Sequence, residues 1–336
     1  MVTLKDIARE CKVSFSTVSK ALKGSPEISL ETTEFVQKKA REMGYHPNLA
    51  AQTLRTNRTY DICVIFEEKT GVGIQHEYFA SVISGIQKVV FSKGYDMTFV
   101  GGNSQEDYDY YSHALGRNYD GVAILSCDFD SPGIVELLKS DIPTITLDYS
   151  YDEHHSAVLS DSAAGIKELA ELAISNGHTR IAMIHGEKTW VTEQRLEAFK
   201  KACSEHGISI PTEYFLEVLY HDAEGCAEAT KKLLSLKNPP TCIFYPDDYA
   251  SLGGIHELTN KNLTAGKDIS IIGYDGIKLA KLIRPQLTTY EQNGVLIGQT
   301  MGNALLDQIE KGKSYTCKKE FVTGKLIRGE TVAKIN

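Results

Sequence analysis

The sequence predicts an α/β protein with a small all-α segment at its N-terminus and a larger core of two lobes, each a parallel sheet flanked by helices. Apolar residues recur with helical spacing in residues 1–46. From residue 60 onward, short apolar runs alternate with amphipathic stretches, which indicates strands and helices in turn. The number of alternations exceeds what one sheet accommodates comfortably, so we expect two lobes facing a cleft.

The first 46 residues predict three short helices. Thr3, Ser14 and Ser29 each precede an apolar helical pattern and can cap a helix. Gly24 and Gly44 follow the second and third patterns and are typical of helix ends. Two short helices joined by a tight turn and closed by a third form a helix-turn-helix arrangement.

The second of these helices carries a polar face that could contact DNA. A recognition helix places the residues at its start against base edges in the major groove. Phe15 could touch a thymine methyl group, and Lys20 could donate to guanine. The spacing alone fits a capped, solvent-exposed helix equally well. The short hydroxyl side chains that suit phosphate and base contacts are Ser14, Ser16, Thr17 and Ser19.

The alternation beyond residue 60 predicts the following elements. The strands are Asp61–Phe66, Asp96–Val100, Gly121–Leu125, Thr144–Leu147, Arg180–Ile184, Phe215–Leu219, Thr241–Tyr245 and Ser270–Gly273. The helices between them include Phe79–Ser92, Ala163–Ser175, Arg195–His206, Ala223–Leu234 and Tyr249–Asn260.

Polar and aromatic side chains follow several of these strands. Ligands of parallel α/β sheets bind beyond the carboxyl ends of the strands. Carboxylates and an arginine can clasp vicinal hydroxyls, and an aromatic ring can stack on a sugar face. An Asp after a strand is also commonly a helix cap or a turn former, and we interpret Asp161 and Asp248 as caps or structural residues. The residues that this position places in a pocket are Asp148, Trp190, Arg195, Tyr220, Asp247 and Asp275.

Charge is distributed unevenly along the chain. Residues 1–59 carry ten Lys and Arg against six Asp and Glu, a net charge of +4, although the net charge of the whole chain is −8. A basic segment on an acidic protein is typical of a nucleic-acid-binding end.

Other features of the sequence argue against several classes of protein. The seven cysteines are scattered, with no C-x-x-C spacing, which favours free thiols over disulfides or a metal site. The N-terminus lacks an apolar secretory segment, and no apolar run reaches the roughly 18 residues of a membrane span, so we expect a cytoplasmic protein without a membrane partner. The chain has no Walker, H-E-x-x-H or G-x-S-x-G motif, so we expect no enzyme, catalytic residue, metal or cofactor.

Three segments carry a family resemblance: Leu4–Ala8, Val13–Leu22 and Gly44–Asn48. In this order and without a gap, they resemble the DNA-binding headpiece of the lac repressor/galactose repressor family. The resemblance implies a helix-turn-helix headpiece, a hinge, and a two-lobed, periplasmic-binding-protein-like core that binds an effector and dimerises. These domains would comprise residues 1–46, 47–59 and 60–336.

The same resemblance implies roles in the headpiece. Phe15, Ser16 and Lys20 would read bases. The family often has Arg at the position of Lys20, and Lys lacks the bidentate fork of Arg, so the operator preference of a relative does not transfer. The residues that would contact phosphates or position the headpiece are Leu4, Lys5, Ser14, Thr17, Ser19, Ser29, Thr32 and Tyr45.

For the linker, spacing and resemblance point in different directions. A two-turn helix is unstable alone in water, so spacing favours a flexible linker. The resemblance implies a hinge helix that forms when paired with its dimer mate on bent DNA. Leu54 would then be an apolar wedge in a minor-groove base step, with Ala51 allowing close approach. Asn48 and Arg55 would contact the DNA backbone.

The resemblance extends to the core, through Ile272–Asp275, Pro285–Thr289 and Arg195–Phe199. Asp247 stands where sugar-responsive relatives often have Asn. Thr189 stands where the purine-responsive member has a basic residue, which disfavours a purine. An acidic pocket favours an uncharged or amino-bearing sugar over a phosphorylated one. The implied pocket residues are Tyr78, Phe79, Asp148, Val191, Arg195, Tyr220, Asp247, Asp275 and Gln292.

Together these observations predict a homodimeric, DNA-binding transcription regulator, most simply a repressor. Each headpiece would read one half-site of a near-palindromic, double-stranded operator, and a sugar-like effector between the lobes would change operator affinity. A sugar-binding receptor without a DNA role would fit residues 60–336 alone. A sugar-converting enzyme with an appended headpiece is a third interpretation.

Overall fold

The computed structural model describes residues 2–22, 24–46, 53, 58–67, 71–101 and 108–335. The chain divides into two compact units, Met1–Thr59 and Tyr60–Asn336. The hinge residues Asn48, Ala51, Leu54 and Arg55 lie outside the described part of the chain.

The first unit contains three helices, α1 (Leu4–Cys11), α2 (Phe15–Leu22) and α3 (Leu30–Glu42). The predicted caps are confirmed. Thr3 and Asp6 form a reciprocal capping box on α1, and the Ser14 hydroxyl accepts from the Thr17 N–H at 3.0 Å. The Ser29 hydroxyl accepts from the Thr32 N–H at 3.3 Å. Each cap satisfies a backbone donor that has no acceptor within its helix.

The three helices bury one small core, whose residues are Ile7, Cys11, Val18, Ala21, Val36 and Ala40. Leu4, Leu22 and Tyr45 pack at its edge. The apolar face of α2 is therefore used for packing, and its opposite face is left to solvent.

In the second unit, lobe 1 is built on a six-stranded parallel sheet. Its strands are β1 (Asp61–Phe66), β2 (Asp96–Val100), β3 (Gly121–Ser126), β4 (Thr144–Leu147), β5 (Ser156–Ser160) and, late in the chain, β11 (Lys319–Val322), in the order β11-β5-β4-β3-β1-β2. Its helices are α4 (Glu77–Ser92), α5 (Tyr110–Arg117), α6 (Pro132–Lys139) and, from the C-terminal region, α12 (Gly294–Lys311).

Helices cover both faces of this sheet. Alternate residues of β1, Ile62 and Val64, face α4 and α12, whereas Cys63 and Ile65 face α5 and α6. A strand covered on both faces needs a continuous apolar run, which explains the β1 sequence. The backbones of α4 and α12 are in direct contact at Gly298, since this residue has no side chain. A Cβ added there would lie 1.9 Å from the Val82 carbonyl oxygen.

Lobe 2 is built on a four-stranded parallel sheet in the order β7-β6-β8-β9. Its strands are β6 (Ile181–His185), β7 (Phe215–Glu217), β8 (Cys242–Phe244) and β9 (Ser270–Ile272), and β10 (Thr289–Glu291) pairs with β12 (Lys325–Ile327) as a separate antiparallel ribbon. Its helices are α7 (Ser162–Ser175), α8 (Trp190–Glu205), α9 (Ala223–Leu234), α10 (Asp248–Asn260) and α11 (Lys278–Leu282).

The chain passes between the lobes three times within the described residues: from β5 to α7, from β10 to α12, and from β11 to β12. The last two crossings lie side by side. Glu291 at the end of β10 forms ion pairs with Lys281 at 2.5 Å and with Lys325 at 2.9 Å. These ion pairs connect the two crossings to α11.

The structure confirms the α/β fold with two lobes and corrects several element bounds. All eight predicted strands are present, with small shifts at their ends. Helix α8 begins at Trp190, not at Arg195, because Thr189 caps it through the Thr192 N–H. The pattern missed four strands, β5, β10, β11 and β12, of which the last three are short and carry charged residues.

Candidate DNA-binding surface and effector cleft

The predicted base readers on α2 are solvent-exposed. Phe15 is 49% exposed, which is unusual for a large apolar side chain and leaves it available to a partner. Ser14, Ser16 and Lys20 are also exposed, and Thr17 and Ser19 are half-buried. The structure thus places the sequence-predicted base readers on one accessible helix.

Most of these side chains already have polar neighbours. The Ser14 hydroxyl lies 2.8 Å from the Ser16 hydroxyl and 2.8 Å from the Thr17 hydroxyl. Lys20 forms an ion pair with Glu27, in the loop between α2 and α3. A contact of the Lys20 ammonium with a base or a phosphate would therefore replace this carboxylate.

The other headpiece candidates divide into two groups. Lys5 and Ser29 are exposed, and Thr32 is half-buried with its hydroxyl 2.9 Å from that of Ser29. Leu4 and Tyr45 pack against the headpiece core, so their side chains contribute to the fold as well as to any DNA contact.

In the core, Arg195 occupies the centre of the cleft. It lies one turn into α8 and is only 6% exposed. Its Nη1 donates to the Pro246 carbonyl oxygen at 3.1 Å, and its guanidinium carbon lies 3.8 Å from the centroid of the Tyr274 ring. A buried guanidinium stacked on an aromatic ring has a fixed orientation, which is suited to directional hydrogen bonds.

Two carboxyl groups from different lobes, Asp148 and Asp275, interact electrostatically with Arg195. Asp148 follows β4 in lobe 1 and accepts from the Ser160 N–H at 2.5 Å, and Asp275 follows β9 in lobe 2 and accepts from the Gln292 amide at 2.7 Å. Both have left-handed backbones, with φ values of 51° and 105°. Strained backbone at the ends of strands is typical of functional sites.

Burial controls the protonation of these groups. It raises the pKa of Asp148 above its ordinary value, although Ser160 and Arg195 favour the carboxylate. It raises the pKa of Asp275 to about 7, against the opposing effect of Arg195 and the Gln292 hydrogen bond. The cleft therefore contains an acid that changes charge near neutral pH, a common property of binding sites.

Tyrosines complete the lining of the cleft. Tyr78 of lobe 1 is 8% exposed, and its hydroxyl has no hydrogen-bond partner among the described residues. The Tyr220 hydroxyl of lobe 2 lies 2.9 Å from the Thr192 hydroxyl. The Tyr220 ring lies flat against Gly186, where an added Cβ would come within 2.1 Å of it. Only glycine fits at position 186.

Asp247, which was expected in the pocket, caps a helix, whereas the neighbouring Asp248 does not. Asp247 is the N-cap of α10, with one oxygen accepting from the Ala250 N–H at 2.7 Å and the other from the His221 N–H at 2.7 Å. Asp248 is not the cap, but it is structural as expected, since it accepts from the Ile277 N–H at 2.9 Å. Asp161 caps α7, as predicted.

The remaining candidates lie around this centre. Phe79 is half-buried against Phe66, with ring centroids 4.7 Å apart. Trp190 and Val191 begin α8 and are half-buried. Gln292 lies on the second crossing between the lobes and is positioned by its bond to Asp275.

Sequence inspection missed residues whose positions depend on distant segments. A small pocket in lobe 2 is lined by Arg195, Tyr220 and Tyr274 together with Ile166, Met183, His185, Gly186, Thr192, Tyr245 and Pro246. Tyr274 stood inside the recognised Ile272–Asp275 segment, which was a usable signal. No pattern pointed to His76 and His221, which meet across the cleft with ring centroids 4.5 Å apart.

Comparison with known proteins identifies the class of molecule to which these two sites belong. Residues 3–48 match the model of bacterial regulatory proteins of the lacI family, and residues 170–332 match a periplasmic binding protein-like domain. A probable HTH-type transcriptional repressor, ExuR of Bacillus subtilis (strain 168), is 32% identical over 335 residues, covering 98% of this chain and 99% of that protein. The chain belongs to the lacI family. It is therefore a DNA-binding transcriptional regulator of the repressor type with a ligand-binding core.

Solved structures share the fold over the full length of this lacI-family chain. A lac repressor dimer bound to operator and the anti-inducer ONPF has a TM-score of 0.85 at 23% identity, covering 99% of each chain. A transcriptional regulator, CelR, in complex with cellobiose has a TM-score of 0.75 at 23% identity, covering 98% of this chain and 100% of that one. The match of the headpiece sets aside the receptor without a DNA role. Among the described residues, no helix is long and apolar enough to cross a membrane.

Proposed function

We propose that the protein is a homodimeric repressor whose operator affinity is controlled by a sugar or sugar derivative bound around Arg195. The observation that carries the proposal is the buried guanidinium of Arg195, which stacks on Tyr274 and interacts electrostatically with one carboxyl group from each lobe. A ligand that bonds to both carboxyl groups contacts both lobes. Its binding energy then depends on the relative position of the lobes, which is the requirement for a ligand that shifts a conformational equilibrium.

The chemistry of this centre favours a polyhydroxylated ligand. Carboxyl oxygens accept hydroxyl protons, guanidinium N–H groups donate to hydroxyl oxygens, and the Tyr78 hydroxyl can do either. Tyr220 offers an aromatic surface for an apolar sugar face. Two carboxyl groups against one guanidinium disfavour a phosphorylated sugar, so we expect a neutral or amino-bearing one. The structural neighbour CelR, in complex with cellobiose, is consistent with a carbohydrate.

The DNA-binding side of the proposal rests on the exposed face of α2. Phe15, Ser16 and Lys20 would enter the major groove, and the serine and threonine hydroxyls would contact phosphates. Residues 1–46 would form the headpiece, 47–59 the hinge and 60–336 the effector and dimerisation domain. Two copies would bind the two half-sites of a near-palindromic operator, as a dimer of the structurally similar lac repressor is bound to its operator. The proposed site of action is the cytoplasm.

Effector binding would release the repressor from DNA. An inducer of this kind must bind the low-affinity state of the protein more tightly than the operator-bound state. An increase in operator affinity with ligand would identify a corepressor and would overturn this part of the proposal.

The test is thermal melting of the full-length protein against neutral, amino-bearing, acidic and phosphorylated sugars, with purine bases in the same panel. A specific ligand raises the melting temperature by mass action. The matched control is Arg195→Lys, which keeps the positive charge but loses the planar fork and the ring stack. A neutral or amino sugar that stabilises the native protein and not the variant supports the proposal. Stabilisation by purines alone would overturn it.

A further inference from the structure

His76 and His221 meet across the cleft. His76 immediately precedes α4 in lobe 1, and His221 lies between β7 and α9 in lobe 2. Their ring centroids are 4.5 Å apart, and the His221 ring stacks on the Tyr249 ring at 4.0 Å with an interplanar angle of 11°. The three rings form a row of contacts that begins in lobe 1 and ends in lobe 2, with the His76 ring tilted by 33° from the His221 ring.

Lobe 2 fixes His221 in this position. Its backbone is left-handed, with φ of 61°, and its N–H donates to the Asp247 carboxylate at 2.7 Å. Its side chain is 10% exposed, and Nδ1 has no hydrogen-bond partner among the described residues. A non-glycine residue adopts this backbone only when its surroundings stabilise it. The ring therefore contributes its flat contact surface and, within lobe 2, a longer polar contact in which Nδ1 lies 3.9 Å from Asp247 Oδ1.

A second contact crosses the cleft beside the rings. Glu77, the neighbour of His76, accepts a hydrogen bond on Oε1 from the Lys278 N–H at 2.9 Å. Lys278 is the first residue of α11, and an N–H at that position has no acceptor within its own helix. Protection of this one amide from solvent exchange therefore depends on lobe 1.

We infer that His76 and Glu77 in lobe 1, with His221 and Lys278 in lobe 2, form a latch that holds the lobes together independently of the effector. The ring contact and the hydrogen bond are adjacent along the chain on the lobe 1 side, so they form and break together when the lobes move. The latch determines how often the cleft opens, and with it the rate at which a ligand enters. It goes beyond the proposed function, since it acts whatever the chemistry of the effector.

Hydrogen exchange of the full-length protein without added ligand tests the latch. The readout is the Lys278 amide, resolved by fragmentation mass spectrometry, because its exchange reports loss of the contact with Glu77. His221→Ala removes the ring in lobe 2 and leaves both Glu77 and Lys278, which are distant from it in sequence, unchanged. We expect it to accelerate exchange at Lys278 about tenfold. His221→Phe keeps a flat ring between Tyr249 and His76 and should leave the rate close to that of the native protein.

Two references separate opening of the cleft from general loosening. The Gly273 amide donates to the Thr288 carbonyl oxygen within lobe 2 and should be unaffected. His206→Ala changes an exposed histidine at the end of α8 and should have no effect on Lys278. If His221→Ala leaves Lys278 exchange unchanged, the latch does not exist. If His221→Ala accelerates exchange at Gly273 as well, His76→Ala is the deciding variant, because its substitution lies in lobe 1 and leaves lobe 2 unchanged. Faster exchange at Lys278 alone in His76→Ala supports the latch. An unchanged rate at Lys278 in that variant overturns it.

Discussion

The proposed DNA surface and the effector cleft use similar residue types in opposite ways. On α2, Phe15, Ser16 and Lys20 are exposed, and the polar contacts of Ser16 and Lys20 are to other exposed residues of the headpiece. In the cleft, Arg195 and Asp275 are held by hydrogen bonds, an aromatic ring and the backbone of neighbouring strands. The DNA surface is ready to exchange solvent for a partner, whereas the cleft is an internal polar network.

This difference determines what a substitution does. An exposed contact can be removed with little effect on folding, so its loss should appear only in DNA binding. A buried polar residue that loses its partner costs stability as well as ligand affinity. The predictions below separate the two cases, beginning with the largest expected effect.

Leu54→Ala should abolish high-affinity operator binding. A wedge inserted into a base step stabilises bent DNA, and unstacking a step involves a few kcal/mol, so we expect a loss of more than about 100-fold. Sugar-dependent stabilisation of the core should be unchanged. Fluorescence anisotropy on a selected operator duplex, with melting of the same samples, measures both. Native operator affinity in this variant would remove Leu54 from the proposed hinge.

Arg195→Leu should remove the response to the effector and also weaken the core. The substitution leaves Asp148 and Asp275 without their cation, and we expect about 2 kcal/mol less stability at neutral pH, since breaking a buried pair by removing one partner is destabilising. Ligand affinity should fall about 100-fold, equal to about 2.7 kcal/mol. Urea unfolding and ligand titration measure the two effects. Binding to duplex DNA of random sequence serves as the control and should not change.

The same contrast explains how much of the molecule the sequence could predict. The headpiece needs only helical spacing and three caps at Thr3, Ser14 and Ser29, so its elements and exposed face were predicted correctly. The central strands of both sheets are buried on both sides and therefore stand out as apolar runs. The two lobes followed from the number of such runs.

Elements and contacts that depend on distant partners were not predictable. The strand β11 pairs with β5 and carries Lys319 and Glu320 on an edge of the sheet, so it has no apolar pattern. Asp247 follows a strand as a pocket residue would, but a helix cap gives the same sequence signal, and the structure shows the cap. The meeting of His76 and His221 depends on the arrangement of the lobes.

Asp275→Asn should change how stability depends on pH. The pKa of Asp275 is raised to about 7 in the folded protein from an ordinary value of 3.8. The folded state therefore retains a proton that the unfolded chain has released, and its stability falls as the pH rises from about 5 to about 7, by up to about 1.4 kcal/mol per unit. The variant should lack this part of the decline. Unfolding by urea across this range measures it, and parallel curves for the two proteins would show that Asp275 does not titrate there.

The smallest predicted effect concerns the ion pair between Lys20 and Glu27 on the proposed DNA surface. Both side chains are about half exposed or more, and exposed pairs contribute at most about 1 kcal/mol. Glu27→Gln frees the Lys20 ammonium for phosphates and should increase affinity for random-sequence DNA by about twofold to fivefold. Protein stability should stay the same. Anisotropy at several salt concentrations measures the change.

The matched control for this prediction is Glu34→Gln, which removes the same charge from an exposed position on α3. A general charge effect increases DNA affinity equally in the two variants, because both make the headpiece more positive by one unit. A larger increase for Glu27→Gln shows that the carboxylate restrains Lys20 specifically, and the effect should then disappear when Lys20 is also replaced by Ala. Equal increases would mean that Lys20 is as available in the native headpiece as in the variant. In that case no headpiece carboxylate competes with DNA for Lys20, whereas the polar side chains of the cleft are bound to one another.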